Sequence, residues 1–379
     1  MIDLFKVCMS PKAPELVREV LESGHIGQYG KVEKLEEILR SHFNHKWINT
    51  INSCTSGIHL AIHTLFKNQR KFGDLLFAPG DEILTTPLTC TATNWAILAN
   101  DYKLKWVDID PNTCNISIED LYRKLSPTTK AIMVVHWGGY ACDLDELKKV
   151  QDKCYDLYRF KPPIIEDCAH AWGATYKNKL VGTHGNIAVF SFQAIKHFTT
   201  GDGGAILSPD EEIHKRMKLL RWYGLDRNGT QDFRCQQNIK EWGFKFHMND
   251  INAAIGIANY KLACEMLEKH RENGKHLDIY LAGVPGVTLL ESKSDRESSY
   301  WIYTLLVKDR ANFVRKLNER GIATSQVHDR NDKHECVKEF RCALPNMDIV
   351  QKEMICIPCG WWVTDEHRET IVECIKEGW

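Results

Sequence analysis

The chain has 379 residues, of which 43% are hydrophobic and 26% charged, the profile of a globular protein with a large core and not of a fibrous, disordered or membrane-spanning one. Lys and Arg total 49 against 50 for Asp and Glu, a net charge of −1, so there is neither the basic excess of a nucleic-acid binder nor an acidic tail. At roughly 150 residues per domain, the length predicts about 2.5 domains.

Met1 to Lys6 shows no basic segment followed by an apolar run, so no secretory signal is read there. No stretch approaches the roughly 18 uninterrupted apolar residues of a spanning helix. The 14 cysteines are therefore expected as reduced thiols in a cytoplasmic protein. Cys356-Ile357-Pro358-Cys359 has redox or zinc-knuckle spacing but stands alone in an apolar stretch, and reads as a buried strand. His334, Cys336 and Cys342 make an equally weak cluster.

Along the chain, short apolar runs alternate with amphipathic segments. Val32, Leu35, Ile38, Leu39 and Phe43 share one face of a helix over 32–43. Trp47 to Ile51 reads as a strand, followed by the polar turn 52–57 and a helix through Leu65. Glu82–Thr85 and Leu104–Val107 are short strands, and Ala131–His136 and Pro163–Asp167 are apolar strands with polar ends. A helix at about 144–157 lies between the last two, and Asn186–Ser191 and Ala205–Leu207 complete the series. This strand-helix rhythm predicts an α/β layer with a mostly parallel sheet. Beyond it come a long helix from Asn249 to about Arg271, a strand near 299–307, a helix over 310–320 and a last helix over 364–376. The expected division is a large domain, 1–250, and a smaller α+β domain, 251–379.

In parallel sheets ligands sit beyond the carboxyl ends of the strands. Three features fall there. Asp167 ends an apolar run, either as a helix N-cap or as a carboxylate that meets a cation at depth. Lys196 follows the strand ending at Ser191 and precedes Gly201-Asp202-Gly203-Gly204. It is either a solvated loop lysine or a desolvated amine able to form a Schiff base with a carbonyl. Ser53, Thr55 and Ser56 stand where a helix begins, a place suited to a phosphate. Pyridoxal phosphate requires all three: a phosphate cup, a carboxylate on the pyridine nitrogen and a lysine for the aldehyde. The glycine-rich turn lacks dinucleotide-fingerprint spacing, which disfavours a nicotinamide enzyme.

With these motifs the sequence resembles the DegT/DnrJ family of sugar-nucleotide aminotransferases, within fold type I of the pyridoxal phosphate enzymes. The matching segments are Gly27-Gln28-Tyr29-Gly30, Ser53-Cys54-Thr55, 86–93, Val135-His136 with Asp143-Leu144-Asp145, and Glu166 to Ala171. Further matches are Ser191-Phe192 with Lys196 and the Thr199-Thr200-Gly201-Asp202-Gly203-Gly204 turn, His247-Met248-Asn249-Asp250 with Ala253-Ala254, Val327-His328, and Ile357-Pro358. The resemblance implies that domain 1–250 binds pyridoxal 5'-phosphate. Lys196 would carry the cofactor and be the catalytic residue, and Asp167 would hold the pyridine nitrogen. Thr55, Ser56 and Ser191 would bind the phosphate. It also implies a homodimer with shared sites, in which Lys245 would face the neighbour's phosphate. Cys90 stands where an aromatic ring often stacks on the cofactor, His170 where Gln often meets its 3-hydroxyl, and Cys54 where Gly is usual.

Tyr29 and His328 are candidates near the substrate. The resemblance implies transfer of an amino group from glutamate, through a pyridoxamine phosphate form, to a keto sugar linked to a nucleoside diphosphate, at C4 in preference to C3. A branch of the family carries His in place of the lysine and removes a 3-hydroxyl. Here Lys196 holds that position and His197 follows as a turn residue, which favours the transaminase over the 3-dehydratase. A non-catalytic cofactor-binding regulator is the remaining alternative. Neither a nucleic acid nor a membrane is expected as partner.

Overall fold

The structure is a computed structural model that describes residues 1–66, 80–227 and 236–379. Two helices, α1 (Ala13–Ser23) and α2 (Gly30–Phe43), precede strand β1 (Ile48–Ile51) and helix α3 (Cys54–Phe66). Then β2 (Glu82–Thr85), α4 (Thr91–Leu98), β3 (Lys103–Trp106), α5 (Ile118–Lys124), β4 (Thr129–Val135), α6 (Leu144–Tyr158) and β5 (Ile164–Asp167) alternate. The short strands β6 (Thr175–Tyr176) and β7 (Lys179–Leu180) come before β8 (Ile187–Ser191), β9 (Gly204–Leu207) and α7 (Glu211–Leu220). The long helix α8 (Asp250–Tyr280) leads into β10 (Val287–Leu289), β11 (Arg296–Glu297) and β12 (Tyr303–Val307). Helices α9 (Arg310–Glu319) and α10 (Pro345–Glu353), strand β13 (Met354–Ile357) and helix α11 (Asp365–Lys376) close the chain.

Seven strands form one sheet in the order β1-β9-β8-β5-β4-β2-β3. Only β9 runs against the others, pairing antiparallel with both β1 and β8. Its strands are apolar on both faces because helices cover both, and the alternation of side chains sorts them between two cores. Ile132 and Val134 of β4 and Ala188 and Phe190 of β8 pack with Leu35 and Leu39 of α2 and Leu147 of α6. Their neighbours Ala131, Met133, Ile187 and Val189 pack on the other face with Ile58 and Ile62 of α3, Ile97 of α4 and Met217 of α7. Gly57 makes the α3 contact possible, since a Cβ there would run into Ile51 and Val189. The expected mostly parallel α/β layer is thus the observed one.

A second sheet, β10-β12-β13, is antiparallel and packs Tyr303, Leu305, Ile355 and Ile357 against Phe313, Leu317, Ile371 and Ile375. The N-terminus joins this layer, with Ile2 bridged to Ile322. Cys356 and Cys359 are buried free thiols, Cys356 within β13, as the strand reading expects. No helix among the described residues is long and apolar enough to cross a membrane.

Two boundaries differ from the sequence reading by more than two residues. Helix α8 runs on to Tyr280, although Asn273-Gly274 resembles a stop signal. Asn273 instead spends its amide on the carbonyls of Gly360 and Val363, at 2.9 and 3.2 Å, and Gly274 leaves room for the Tyr300 ring. The strand expected from Ser299 begins only at Tyr303. The backbone before it is bound elsewhere, Ser299 and Trp301 donating to the carbonyls of Gly139 and Gly138 at 3.1 and 2.9 Å.

Candidate active site

Strand register gathers the polar strand ends at one edge of the sheet. Val135 pairs with Asp167, Asp167 with Val189, Ser191 with Gly204, and Gly204 with Ile51. The carboxyl ends of β4, β5, β8 and β1 are therefore level, and the loop from Ser191 to Gly204 leaves and returns at this edge. Phe192 and Gly203 close that loop with a 2.9 Å backbone bond. Gly204 allows close approach, since a Cβ would press on Phe190 O and Cys54 N.

The turn after β1 starts α3 at Cys54. Ser53 Oγ accepts from Ser56 N–H at 3.1 Å and lies 2.9 Å from Ser56 Oγ. First-turn N–H groups have no partner inside a helix and carry the positive end of its dipole. Thr55 is exposed, Ser56 partly buried and Ser191 two strands away, so the free N–H groups and these hydroxyls lie on one edge of the sheet.

Asp167 is 4% exposed. Its Oδ2 accepts from Thr93 Oγ1 at 2.6 Å, and Oδ1 accepts from Ala169 N–H at 3.0 Å and from the Cys54 thiol at 3.8 Å. Burial pushes this carboxyl above its usual value, opposed by the Thr93 and Ala169 bonds and the charge of Lys196. Burial, with Asp167 beside it, pushes the Cys54 thiol well up, so it remains a donor. The side chain that stands in the usual glycine position thus lines the floor beside Asp167.

Behind Asp167, Glu166 points to the opposite face and accepts from Asn186 at 2.7 Å and from His136 Nε2 at 2.9 Å. His136 Nδ1 accepts from Cys142 N–H at 3.0 Å, which fixes the proton on Nε2. Among the described residues, His136, Glu166 and Cys168 are the one set with metal-ligand proximity. Their polar atoms are already committed to one another and to the backbone, as a strut under the strand ends.

Lys196 Nζ lies 3.4 Å from the ring centroid of Trp301. The indole N–H donates to Ile195 O at 2.9 Å, and the ring stacks on His170 with centroids 3.9 Å apart and planes at 18°. His170 in turn stacks on His328 at 5.5 Å and 7°. Burial lowers Lys196 to about 8, opposed by Asp167, Cys54 and Cys90. Burial and Lys196 together hold His170 well below the usual imidazole value and His328 at about 4, so both rings are neutral. Among the described residues, His170 Nδ1 and His328 Nε2 are buried without a hydrogen-bond partner, two polar atoms suited to a polar ligand.

Of the residues singled out in the sequence, Asp167, His170, Lys196 and His328 come together, with Thr55, Ser56 and Ser191 along the same edge. Cys90 is exposed as the N-cap of α4. Lys245 and Tyr29 stand apart from this cluster. Lys245 is exposed, its backbone bridged to Trp222 and its carbonyl bound by Asn52 at 3.2 Å. Tyr29 is 64% exposed and stacks on His25. His197 turns away, its Nε2 2.9 Å from Ser299 O. Sequence reading missed Trp301, which the fold brings from about 100 residues away. It also left Thr93 without a role, although Thr93 lies three residues after Cys90 on the same helical turn.

The doubly covered sheet, the lysine on the β8–β9 loop and the buried aspartate on the adjacent strand define a pyridoxal-phosphate-dependent transferase of fold type I, and its residues fit that cofactor. The chain belongs to the DegT/DnrJ/EryC1/StrS aminotransferase family, which it matches over residues 8–376. It is a pyridoxal-phosphate-dependent aminotransferase. The crystal structure of AtS13 from Actinomadura melliaura superposes with a TM-score of 0.95 at 46% identity, covering 100% of this chain and 99% of that one. The sugar aminotransferase CalS13 from Micromonospora echinospora gives 0.94 at 44% identity, with all of both chains covered. The UDP-4-amino-4-deoxy-L-arabinose–oxoglutarate aminotransferase of Shewanella sediminis is 32% identical over 382 residues, covering 95% of this chain and 94% of the relative.

Proposed function

We propose that the protein transfers an amino group from glutamate to the C4 keto group of a deoxysugar linked to a nucleoside diphosphate, as a cytoplasmic homodimer. The observation that carries the reading is Lys196, an amine of lowered basicity at a strand-end edge, facing Asp167 and the neutral imidazoles of His170 and His328. The similarity to a sugar aminotransferase supports the sugar. The name of the Shewanella relative, with its 4-amino sugar and its oxoglutarate, supports C4 and a glutamate donor.

Pyridoxal phosphate, when bound, supplies the electron sink that lets an amine and a carbonyl exchange. Residues 1–250 hold it and 251–379 cover it. Thr55, Ser56, Ser191 and the N-terminus of α3 would take the phosphate, with the neighbour's Lys245 adding charge. Asp167 would hold the pyridine nitrogen and His170 Nδ1 the 3-hydroxyl. Cys90 would stand by the ring in place of an aromatic side chain. Lys196 would carry the cofactor, and its free amine would serve as the general base that moves the proton. Tyr29 and His328 bind the sugar nucleotide.

Purified protein should be yellow, lose that absorbance on addition of glutamate, and regain it with a 4-keto-6-deoxy nucleotide sugar. Colour unchanged by glutamate would count against transamination from this donor. Formation of a 3-deoxy product would favour the dehydratase instead. Lys196→Ala should abolish turnover and borohydride trapping; retained activity would reject the assignment.

A further inference from the structure

We infer that Trp301 is a positioning residue for Lys196, its indole face holding the lysine ammonium whenever the amine is not bonded to the cofactor. The inference rests on Lys196 being the residue that carries the cofactor.

Among the described residues, Lys196 forms no ion pair and no side-chain hydrogen bond, and the ring at 3.4 Å is its cation-stabilising contact. A partly desolvated ammonium over an indole is the strongest of the cation–aromatic arrangements. The groups that act on this amine are few. Asp167 is the one carboxylate, and its oxygens already accept from Thr93, Ala169 and the Cys54 thiol. Cys54 and Cys90 act on Lys196 as neighbours, while His170, His328 and His197 are imidazoles that Lys196 itself drives towards the neutral form. Trp301 therefore opposes the burial that lowers the amine.

The ring is built to stay where it is. It is 2% exposed, and its N–H is anchored on Ile195 O, the carbonyl next to Lys196 itself. Phe5 stacks against it with centroids 5.1 Å apart, and His170 stacks at 3.9 Å. The indole thus fixes the loop on which Lys196 sits and offers its π-face to the end of the same side chain. A lysine that must leave the cofactor and return needs one defined resting place close by, or its return requires a search of many rotamers.

The test follows capture of pyridoxal phosphate by apo-protein across pH, read from visible absorbance, with borohydride trapping mapped by mass spectrometry. Only the neutral Lys196 amine adds to the aldehyde carbon, with loss of one water, so the midpoint of the pH profile reports the basicity of the amine. In Trp301→Leu the midpoint should move down by about one pH unit, which makes capture about tenfold faster on the acidic limb. Trp301→Phe, which keeps a weaker aromatic face, should fall between the two and serves alone if the Leu variant does not fold. A purely structural role would slow capture at every pH without moving the midpoint, and an unmoved midpoint in the folded Phe variant overturns the inference. Trapping at a residue other than Lys196 would reject the cofactor assignment itself, whatever the midpoints do.

Discussion

Thr93 Oγ1 donates a 2.6 Å hydrogen bond to Asp167 Oδ2, joining the first turns of α4 to the end of β5 in the floor of the site. The bond is charge-assisted and buried on both sides, the kind whose loss costs about 1.5–3 kcal/mol. Its effect falls on the ionised form of Asp167, which burial already disfavours.

Thr93→Val keeps the shape and removes the donor. Asp167 should then rise further, so fewer carboxylates are available to meet a pyridinium. Cofactor affinity should drop about tenfold at pH 6 and less at pH 8, a difference read by absorbance titration of apo-protein. Equal losses at both pH values would mean that Thr93 acts by packing alone.

Asp250 stands as a cap for a helix it does not belong to. Its carboxylate accepts from the N–H groups of Tyr29, Val32 and Lys31 at 2.7, 3.1 and 2.9 Å, the N-cap and first turn of α2. Asp250→Ala should lower stability by about 1–3 kcal/mol in denaturant titration. Because the same bonds hold the backbone of Tyr29, the KM for the sugar nucleotide should rise with kcat nearly unchanged. A fall in kcat alone would contradict that role for the Tyr29 segment.

What was legible in the sequence is what lies close together along it. Each strand end carries its own polar residue, so Asp167, Ser191 and the Ser53–Ser56 turn were visible from apolar runs and their interruptions. Lys196 follows β8 directly. Trp301 could not be read this way, because its place beside Lys196 depends on the 299–301 backbone binding Gly138 and Gly139, two remote glycines. The same holds for the family match between Gly27-Gln28-Tyr29-Gly30 and Asn249-Asp250, two separate motifs until the structure shows one capping the other. Helix α4 escaped because Thr91-Ala92-Thr93-Asn94 has no apolar period. Its face is spent on Asp167 and, through Asn94, on Thr85 and Asn331.

Glu36 and Arg221 form a buried pair that supports the start of the large sheet. Arg221 Nη1 donates to Glu36 Oε1 at 2.6 Å and to Thr50 O at 2.6 Å, and Glu36 Oε1 also accepts from Thr50 N–H at 3.0 Å. Although burial raises the Glu36 carboxyl, Arg221 and the Thr50 bonds outweigh it and hold the group below its usual value. A depressed carboxyl contributes stability that is complete above the unfolded value of 4.5 and is lost as pH falls through the folded one. Glu36→Gln should cost about 3–5 kcal/mol at pH 7, since it leaves Arg221 buried and uncompensated. The difference from wild type should shrink below about pH 4 in thermal unfolding. A constant difference across pH would exclude the carboxylate as its source.

Val327 takes a left-handed backbone, φ +63°, that β-branched residues avoid. The segment is anchored through Ser325: Ser325 and Cys356 exchange backbone bonds at 3.2 and 2.8 Å, and Val327 N–H donates to Ser325 Oγ at 3.0 Å. The turn delivers His328 to the stack with His170, with Nε2 buried and unpaired among the described residues. Strain of this kind is about 1–3 kcal/mol and persists where the surroundings impose it. Val327→Gly should relieve it, while loosening the unfolded chain and losing a partly buried side chain, so net stability should stay within about 1 kcal/mol of wild type. Activity should respond differently. With the backbone freed, His328 samples more orientations, and kcat/KM for the sugar nucleotide should fall about tenfold, the scale of a loosely held binding group. The half-reaction with the amino donor, which needs no sugar contact, should keep its rate. If both half-reactions slow together, the turn serves the whole site; if neither slows, the strained valine is not what orients His328.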